Sequence, residues 1–179
     1  MIHIAPRIET PRLILRPWTM EDFPALAACW QDLRLVRHIG DGQPHSREMS
    51  WGRLLRYIRH WQMLGYGYWA CEEKETGKNI GGLGLQNAGR DIAPALLWPE
   101  AGWTLIPEAQ GLGYAREAMS AALAWADSEL RSPLCCIIDE QNLRSIRLAE
   151  KLGFRFSHLA DYRQKSVQVY LREPPSSAA

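Results

Sequence analysis

The sequence is short of net charge. Its 21 lysines and arginines against 20 aspartates and glutamates leave a formal charge of +1, too little to draw the whole chain onto nucleic acid or a membrane surface. Cysteine is scarce in pattern as well as number: the four, Cys29, Cys71, Cys135 and Cys136, contain no C-x-x-C pair. Cys135 and Cys136 adjoin inside an apolar run and read as small buried hydrophobes, so neither a disulfide framework nor a metal site is expected. The five histidines form no H-E-x-x-H and no other ligand spacing. No run approaches the roughly 18 apolar residues of a membrane span, and no basic segment leads into a long apolar one near the start. The expectation is therefore a cytoplasmic protein without metal, nucleic acid or membrane. Internal repeats and an interdomain linker are missing too, and 179 residues suit one domain over 1–173 with a frayed tail at 174–179.

What is there alternates between two periods. "RLILRPW" (12–18) reads as a strand. "TMEDFPALAACW" opens a helix, with Thr19 as N-cap, Asp22 three residues on, and Trp18 stapling onto Phe23. After the turn cluster "IGDGQPH", Ser46 caps a second helix that is apolar at Trp51, Leu54, Leu55, Ile58 and Trp61. Its row Arg53, Arg56 and Arg59 is either a solvated face or a phosphate contact. "YGYWACEE" and "NIGGLGLQ" form a hairpin about "KETGK", and "ALLWPEAGWTLI" is a strand pair or one bent strand. A helix over 112–130, a doubly buried strand "LCCIID" (134–139), a helix "NLRSIRLAEKLGF" closed by Gly153, a short strand at "RFSHLA" and a last strand "SVQVYLRE" complete the order. This is an α/β layer system with helices on both faces of a mixed sheet.

"GWTLIPEAQGLGYAREAM" (102–119) places Gly111 and Gly113 where a helix begins. A helix start leaves several N–H groups unpaired and carries about half a positive charge, so it is a seat for phosphate. The glycines serve either a turn or such a ligand. No Gly-Lys-Ser/Thr follows, and the spacing is not G-x-G-x-x-G.

The surrounding pattern resembles the acetyl-CoA segment of the GNAT N-acetyltransferases, with Trp103 and Leu105 on a strand and then Gln110, Gly113 and Ala115. "NLRSIRLAEKLGF", with Asn142 and Ser145, resembles that family's next segment. "ETPRLILRPWTMEDF" and the 65–85 hairpin resemble the RimJ/RimL-like branch, so the likeness runs from Glu9 to Arg172. It implies a single domain whose mostly antiparallel sheet of about six to seven strands has splayed central members. It further implies acetyl-CoA as co-substrate, direct attack by an amine within a ternary complex, and pantetheine lying between the strands at 102–106 and 134–139. Trp103 and Leu105 would bond pantetheine, and the N–H of Trp103 or Thr104 would meet the thioester oxygen. Gln110, Gly111, Leu112, Gly113, Tyr114 and Ala115 would cradle the diphosphate, with Arg116 either adding charge or standing in solvent. Asn142 would open the next helix.

For the chemistry, Glu100 is the candidate base, against a reading as a surface carboxylate beside Pro99. The tyrosine acid of many relatives is replaced by Ala149. Ser145 is then the candidate sulfur contact, or a local backbone partner. The acceptor is a protein or peptide N-terminal amine or a small amine. By the same resemblance its loop is "RHIGDGQPHS", where His38, Asp41 and His45 either orient a cation or relay a proton or are simply polar loop residues. Trp61, Tyr66, Tyr68 and Trp69 either line the acceptor cleft or, for most of them, belong to the core. The protein is a monomer or a homodimer. A non-catalytic acyl-CoA-binding protein of the same fold is the alternative.

Overall fold

The structure is a computed structural model that describes residues 2–176, so the last part of the expected tail lies outside the described residues. In chain order the strands are β1 (Ile8–Glu9), β2 (Leu13–Arg16), β3 (Tyr68–Glu73), β4 (Asn79–Gln86), β5 (Ile92–Ala93), β6 (Glu100–Leu105), β7 (Leu134–Ile138), β8 (Arg155–Tyr162) and β9 (Lys165–Arg172). The helices are α1 (Phe23–Gln31), α2 (Leu33–Val36), α3 (Arg47–Leu64), α4 (Tyr114–Glu129) and α5 (Leu143–Lys151).

All nine strands join one sheet in the order β1-β2-β3-β4-β6-β7-β9-β8-β5. The surplus over the expected six to seven is the pair of two-residue edge strands, β1 and β5. Both are too short for alternation to mark them. Every pairing is antiparallel except β6 with β7, which share a single register pair, Glu100 with Cys135. Beyond it the two strands diverge. Of the strand pair or bent strand expected over "ALLWPEAGWTLI", only Glu100–Leu105 is strand; "ALLWP" lies outside the ladder, and its Pro99 accepts from the Cys135 N–H at 3.0 Å.

Side-chain alternation sorts the layers. Trp69, Cys71, Leu83, Leu85, Ala101 and Leu105 face α4 and α5 in the largest core. Tyr68 and Ala70 face α1 and α3 in a second core with Trp18, Phe23, Trp30 and Tyr57. On that side β4 and β6 present Gly82 and Gly102. A Cβ at Gly82 would stand 2.6 Å from the Trp18 ring, and one at Gly102 would overlap the Tyr68 hydroxyl. The missing side chains thus admit a layer of stacked aromatics, with Tyr57 5.2 Å from Trp18 and 5.0 Å from Tyr68. A smaller core about Ile92, Cys135, Ala160 and Val169 backs the other half of the sheet.

The local signals are realised where expected. Thr19 and Asp22 form a capping box, and the Ser46 side chain accepts from the Met49 N–H. Burial pushes the thiols of Cys29, Cys71 and Cys135 up to about 12, which leaves them protonated packing groups. No helix among the described residues is long and apolar enough to cross a membrane.

Candidate active site

The split between β6 and β7 is built by register. The Ile106 N–H donates to the Ile80 carbonyl at 2.9 Å, so antiparallel alternation turns Thr104 and Gly102 toward β4. Trp103 and Leu105 then aim their main-chain groups at β7, which has already diverged. Of the two residues expected to offer an N–H to a carbonyl oxygen, Trp103 presents one into the split. Thr104 does not, because its amide faces β4 and its hydroxyl bonds the Gly82 carbonyl at 3.1 Å.

Side chains cross the split on the α5 side. The Trp103 indole N–H donates to the Ser145 hydroxyl at 3.4 Å, and Ser145 Oγ keeps its own proton to give. Gln110 donates to the Leu105 carbonyl at 2.9 Å and accepts from Arg144 at 2.8 Å. Asn142 caps α5 by accepting from the Ser145 N–H at 3.2 Å. Sequence spacing thus brought Trp103, Leu105, Gln110, Asn142 and Ser145 to one place. Arg144, at the same seam, was missed; its side chain holds Gln110.

At the wide end of the split α4 begins. Its N-cap is Gly113 at φ 83°, and Gly111 stands at φ 76°. Left-handed backbone accounts for both glycines on turn grounds. Gly111 adds something else: a Cβ there would have nothing within 4 Å, so its backbone faces open space. The first ladder bond of α4 runs from the Glu117 N–H to Gly113, which leaves the N–H groups of the first turn, from Tyr114 through Arg116, without helical partners. Such a terminus with an open approach fits an oxyanion.

Leu112 and Tyr114 enter this cradle through their backbone only. The Leu112 carbonyl accepts from Arg12 at 2.9 Å, while the Tyr114 ring lies under the Arg12 guanidinium and its hydroxyl donates to Glu73 at 2.6 Å. Ala115 is half-buried behind the loop, and Arg116 is exposed and makes no ion pair among the described residues.

Glu100 lies at the closed end of the split, on the α3 side of the sheet. It is 5% exposed, and Arg90 holds both its oxygens, at 2.7 and 2.8 Å. Arg90 also donates to the Tyr162 hydroxyl at 2.8 Å. Glu100 is therefore not the surface carboxylate of the bland alternative; it is buried and paired.

Among the candidate aromatics, Tyr68 rests its hydroxyl against Gly102. Burial drives its phenol well above the ordinary range and keeps it a proton donor. Trp61 and Trp69 belong to the core, edge to face with Trp125, and do not line a cleft. Tyr66 is partly buried and accepts at its carbonyl from His60. Arg53 reaches the Tyr57 hydroxyl at 3.5 Å, whereas Arg56 is exposed and Arg59 bonds Gln62 and stays in solvent.

Residues 12–155 match the family model of the GNAT acetyltransferase domain. The uncharacterized N-acetyltransferase YoaA of Bacillus subtilis (strain 168) is 29% identical over 84% of this chain and 83% of its own. An acetyltransferase structure from Agrobacterium tumefaciens superposes with a TM-score of 0.81 at 30% identity, covering 97% of each chain. The same fold is found at 16% identity in RimL, a ribosomal L7/L12 α-N-protein acetyltransferase in complex with coenzyme A. That match has a TM-score of 0.75 and covers 94% of this chain and 98% of that one. The chain belongs to the GNAT acetyltransferase family.

Proposed function

We propose that this protein moves the acetyl group of acetyl-CoA directly onto a primary amine while both substrates are bound. One observation carries the reading: a split sheet and an open helix N-terminus lie in line. The main-chain edge of Trp103 and Leu105, open but for the Gln110 bond to the Leu105 carbonyl, matches an extended, amide-bearing arm, and the Gly111–Ala115 cradle matches a diphosphate. Coenzyme A has both parts. RimL, which shares the fold, holds coenzyme A in its structure, and that supports the assignment.

In this reading the Trp103 N–H stabilises charge as it develops on the acetyl oxygen. The amine nitrogen bonds the carbonyl carbon, the C–S bond breaks, and one proton passes from nitrogen to base while sulfur takes another. The Ser145 hydroxyl, which already accepts from Trp103, retains its proton for the sulfur. Glu100 is the proposed proton acceptor. Arg90 engages one lone pair on each oxygen and leaves the others to accept a proton.

The cost of freeing the amine narrows the acceptor. Freeing an amine of pKa about 10.4 at pH 7 costs roughly 4–5 kcal/mol, whereas an α-amine of pKa about 7.7–8.0 costs roughly 1 kcal/mol. An α-amine, on a peptide or protein N-terminus or a small molecule, suits this site better than a lysine side chain. Release of free thiol from acetyl-CoA, followed across a panel of α-amines and alkyl amines, tests the proposal. Amine-dependent release, faster for α-amines, is expected. Coenzyme A affinity with no thiol release for any amine would make the protein a non-catalytic binder.

A further inference from the structure

On the α3 side of the sheet the arginines outnumber the carboxylates near them. Arg53 lies with its guanidinium carbon 3.5 Å from the Trp30 ring centre, its Nη2 3.1 Å from His45 Nδ1 and its Nη1 3.5 Å from the Tyr57 hydroxyl. Its Nε is buried with no partner. An arginine only donates, so His45 Nδ1 must accept, which makes His45 neutral with its proton on Nε2. Burial and Arg53 both hold the His45 pKa below its ordinary value, in agreement with that tautomer.

One turn along α3, Arg56 is exposed and makes no ion pair among the described residues. Of the carboxylates nearby, Glu100 is taken by Arg90, and Asp41 accepts from the Gln43 N–H. Arg163 at the β8–β9 turn reaches to 3.3 Å of where a Cβ on Gly40 would lie, and it too makes no ion pair among the described residues. A chain of net charge +1 thus carries three arginines without a carboxylate partner along α3 and at the loop before it.

A buried guanidinium nitrogen that lacks a partner, as Arg53 Nε does, is costly unless something anionic completes the group. We infer that Arg53 and Arg56 bind an anionic group carried by the acceptor itself, a carboxylate a few bonds from the reacting α-amine. This rests on the acetyltransferase reading and names its acceptor class. The carboxylate comes either from a free amino acid or from an acidic residue at a peptide N-terminus. Both present the same chemistry to the two arginines. The placement also has a logic: an anion fixed on α3 orients the amine toward β6, where Trp103 offers its N–H.

Matched acceptors test it. A free amino acid and its uncharged amide differ at the carboxylate, as do short peptides beginning with an acidic residue and their amide counterparts. Amine-dependent thiol release should favour the charged member of at least one pair by about 10- to 100-fold, the worth of one charge-assisted contact. The amino-acid arm and the peptide arm report which source is used. Arg56→Ala should bring that ratio near unity through the acceptor KM, with the KM for acetyl-CoA unchanged. Arg56→Lys should restore part of it. Arg53 packs on Trp30 and His45, so its alanine variant is a weaker probe, and Arg56 carries the test because its tip is exposed. Equal rates within every pair, or a preference for neutral or cationic amines that Arg56→Ala leaves untouched, overturn the inference while acetyl transfer stands. Absence of transfer to every amine overturns the underlying reading and this inference with it.

Discussion

At the scale of single residues the site is an arrangement of occupied and unoccupied hydrogen-bonding groups. Glu100 and Ser145 differ most in this respect, since Glu100 is held by two bonds from Arg90 and Ser145 accepts one weak bond from Trp103. Glu100→Gln keeps the size but not the charge. With an α-amine acceptor it should lower kcat at pH 7 by about tenfold or more, the usual contribution of a positioned base. The loss should shrink as pH passes the amine's own pKa near 8. A loss of the same size at every pH would reduce Glu100 to a holder of Arg90. Ser145→Ala should cost less, because a thiol of pKa about 8.5 gains at most roughly 2 kcal/mol from protonation. Equal losses from the two substitutions would refute that order. Gly102 offers a separate check. Gly102→Ala drives a methyl group onto the Tyr68 hydroxyl and should disable the enzyme, and Tyr68→Phe in the same chain should recover part of the loss. No recovery would mean that the strain falls on the backbone of β6.

At the scale of elements, the loop into α4 carries two demands that one mutation confounds and a control separates. Gly111→Ala meets a left-handed φ of 76°, a strain of about 1–2 kcal/mol, and places a methyl group where the diphosphate would approach. Gly77 in the β3–β4 turn has φ 68° and equally open surroundings, with no proposed ligand. Gly77→Ala should cost similar stability and leave the coenzyme A Kd unchanged. Gly111→Ala should raise that Kd about tenfold while affinity for pantetheine, which lacks the diphosphate, holds; calorimetry reads both. Equal effects of the two variants on Kd would restrict Gly111 to a turn.

Much of this element was legible beforehand because its signals are local. Glycine at the helix start, Asn142 as cap and an apolar strand before the loop all act within a few residues. The position of Arg90 on Glu100 was not legible, since it depends on how the segment from Asn87 to Pro99 folds back over β7, and that segment has no period. Neither was the seat of Arg53 on Trp30, His45 and Tyr57. Helical spacing puts it opposite the apolar stripe, yet α1 and the loop before α3 meet it there. The two-residue strands β1 and β5 escaped because pairing at sheet edges leaves no pattern in two residues.

For the whole molecule the weak point is the middle of the sheet. Five strands on one side and four on the other meet through one register pair of β6 with β7, and the largest core, shared by α4 and α5, does the rest of the joining. A ligand lying along the split bonds both halves at once, through Trp103 and Leu105 on one side and the start of α5 on the other. Such a ligand binds the folded chain and has no site on the unfolded one, so it stabilises by mass action. At a coenzyme A concentration of about 100 times Kd the gain is roughly 2.7 kcal/mol. For a chain of this length each kcal/mol moves Tm by about 2–4 °C, so a rise of roughly 5–10 °C is expected. Pantetheine at the same multiple of its own Kd should give the same rise, since the linkage depends on occupancy and not on which contacts supply it. At equal concentrations it should give far less. Scanning calorimetry on the full chain distinguishes these cases, and a Tm that coenzyme A leaves unmoved at millimolar concentration would mean that the split is not its seat.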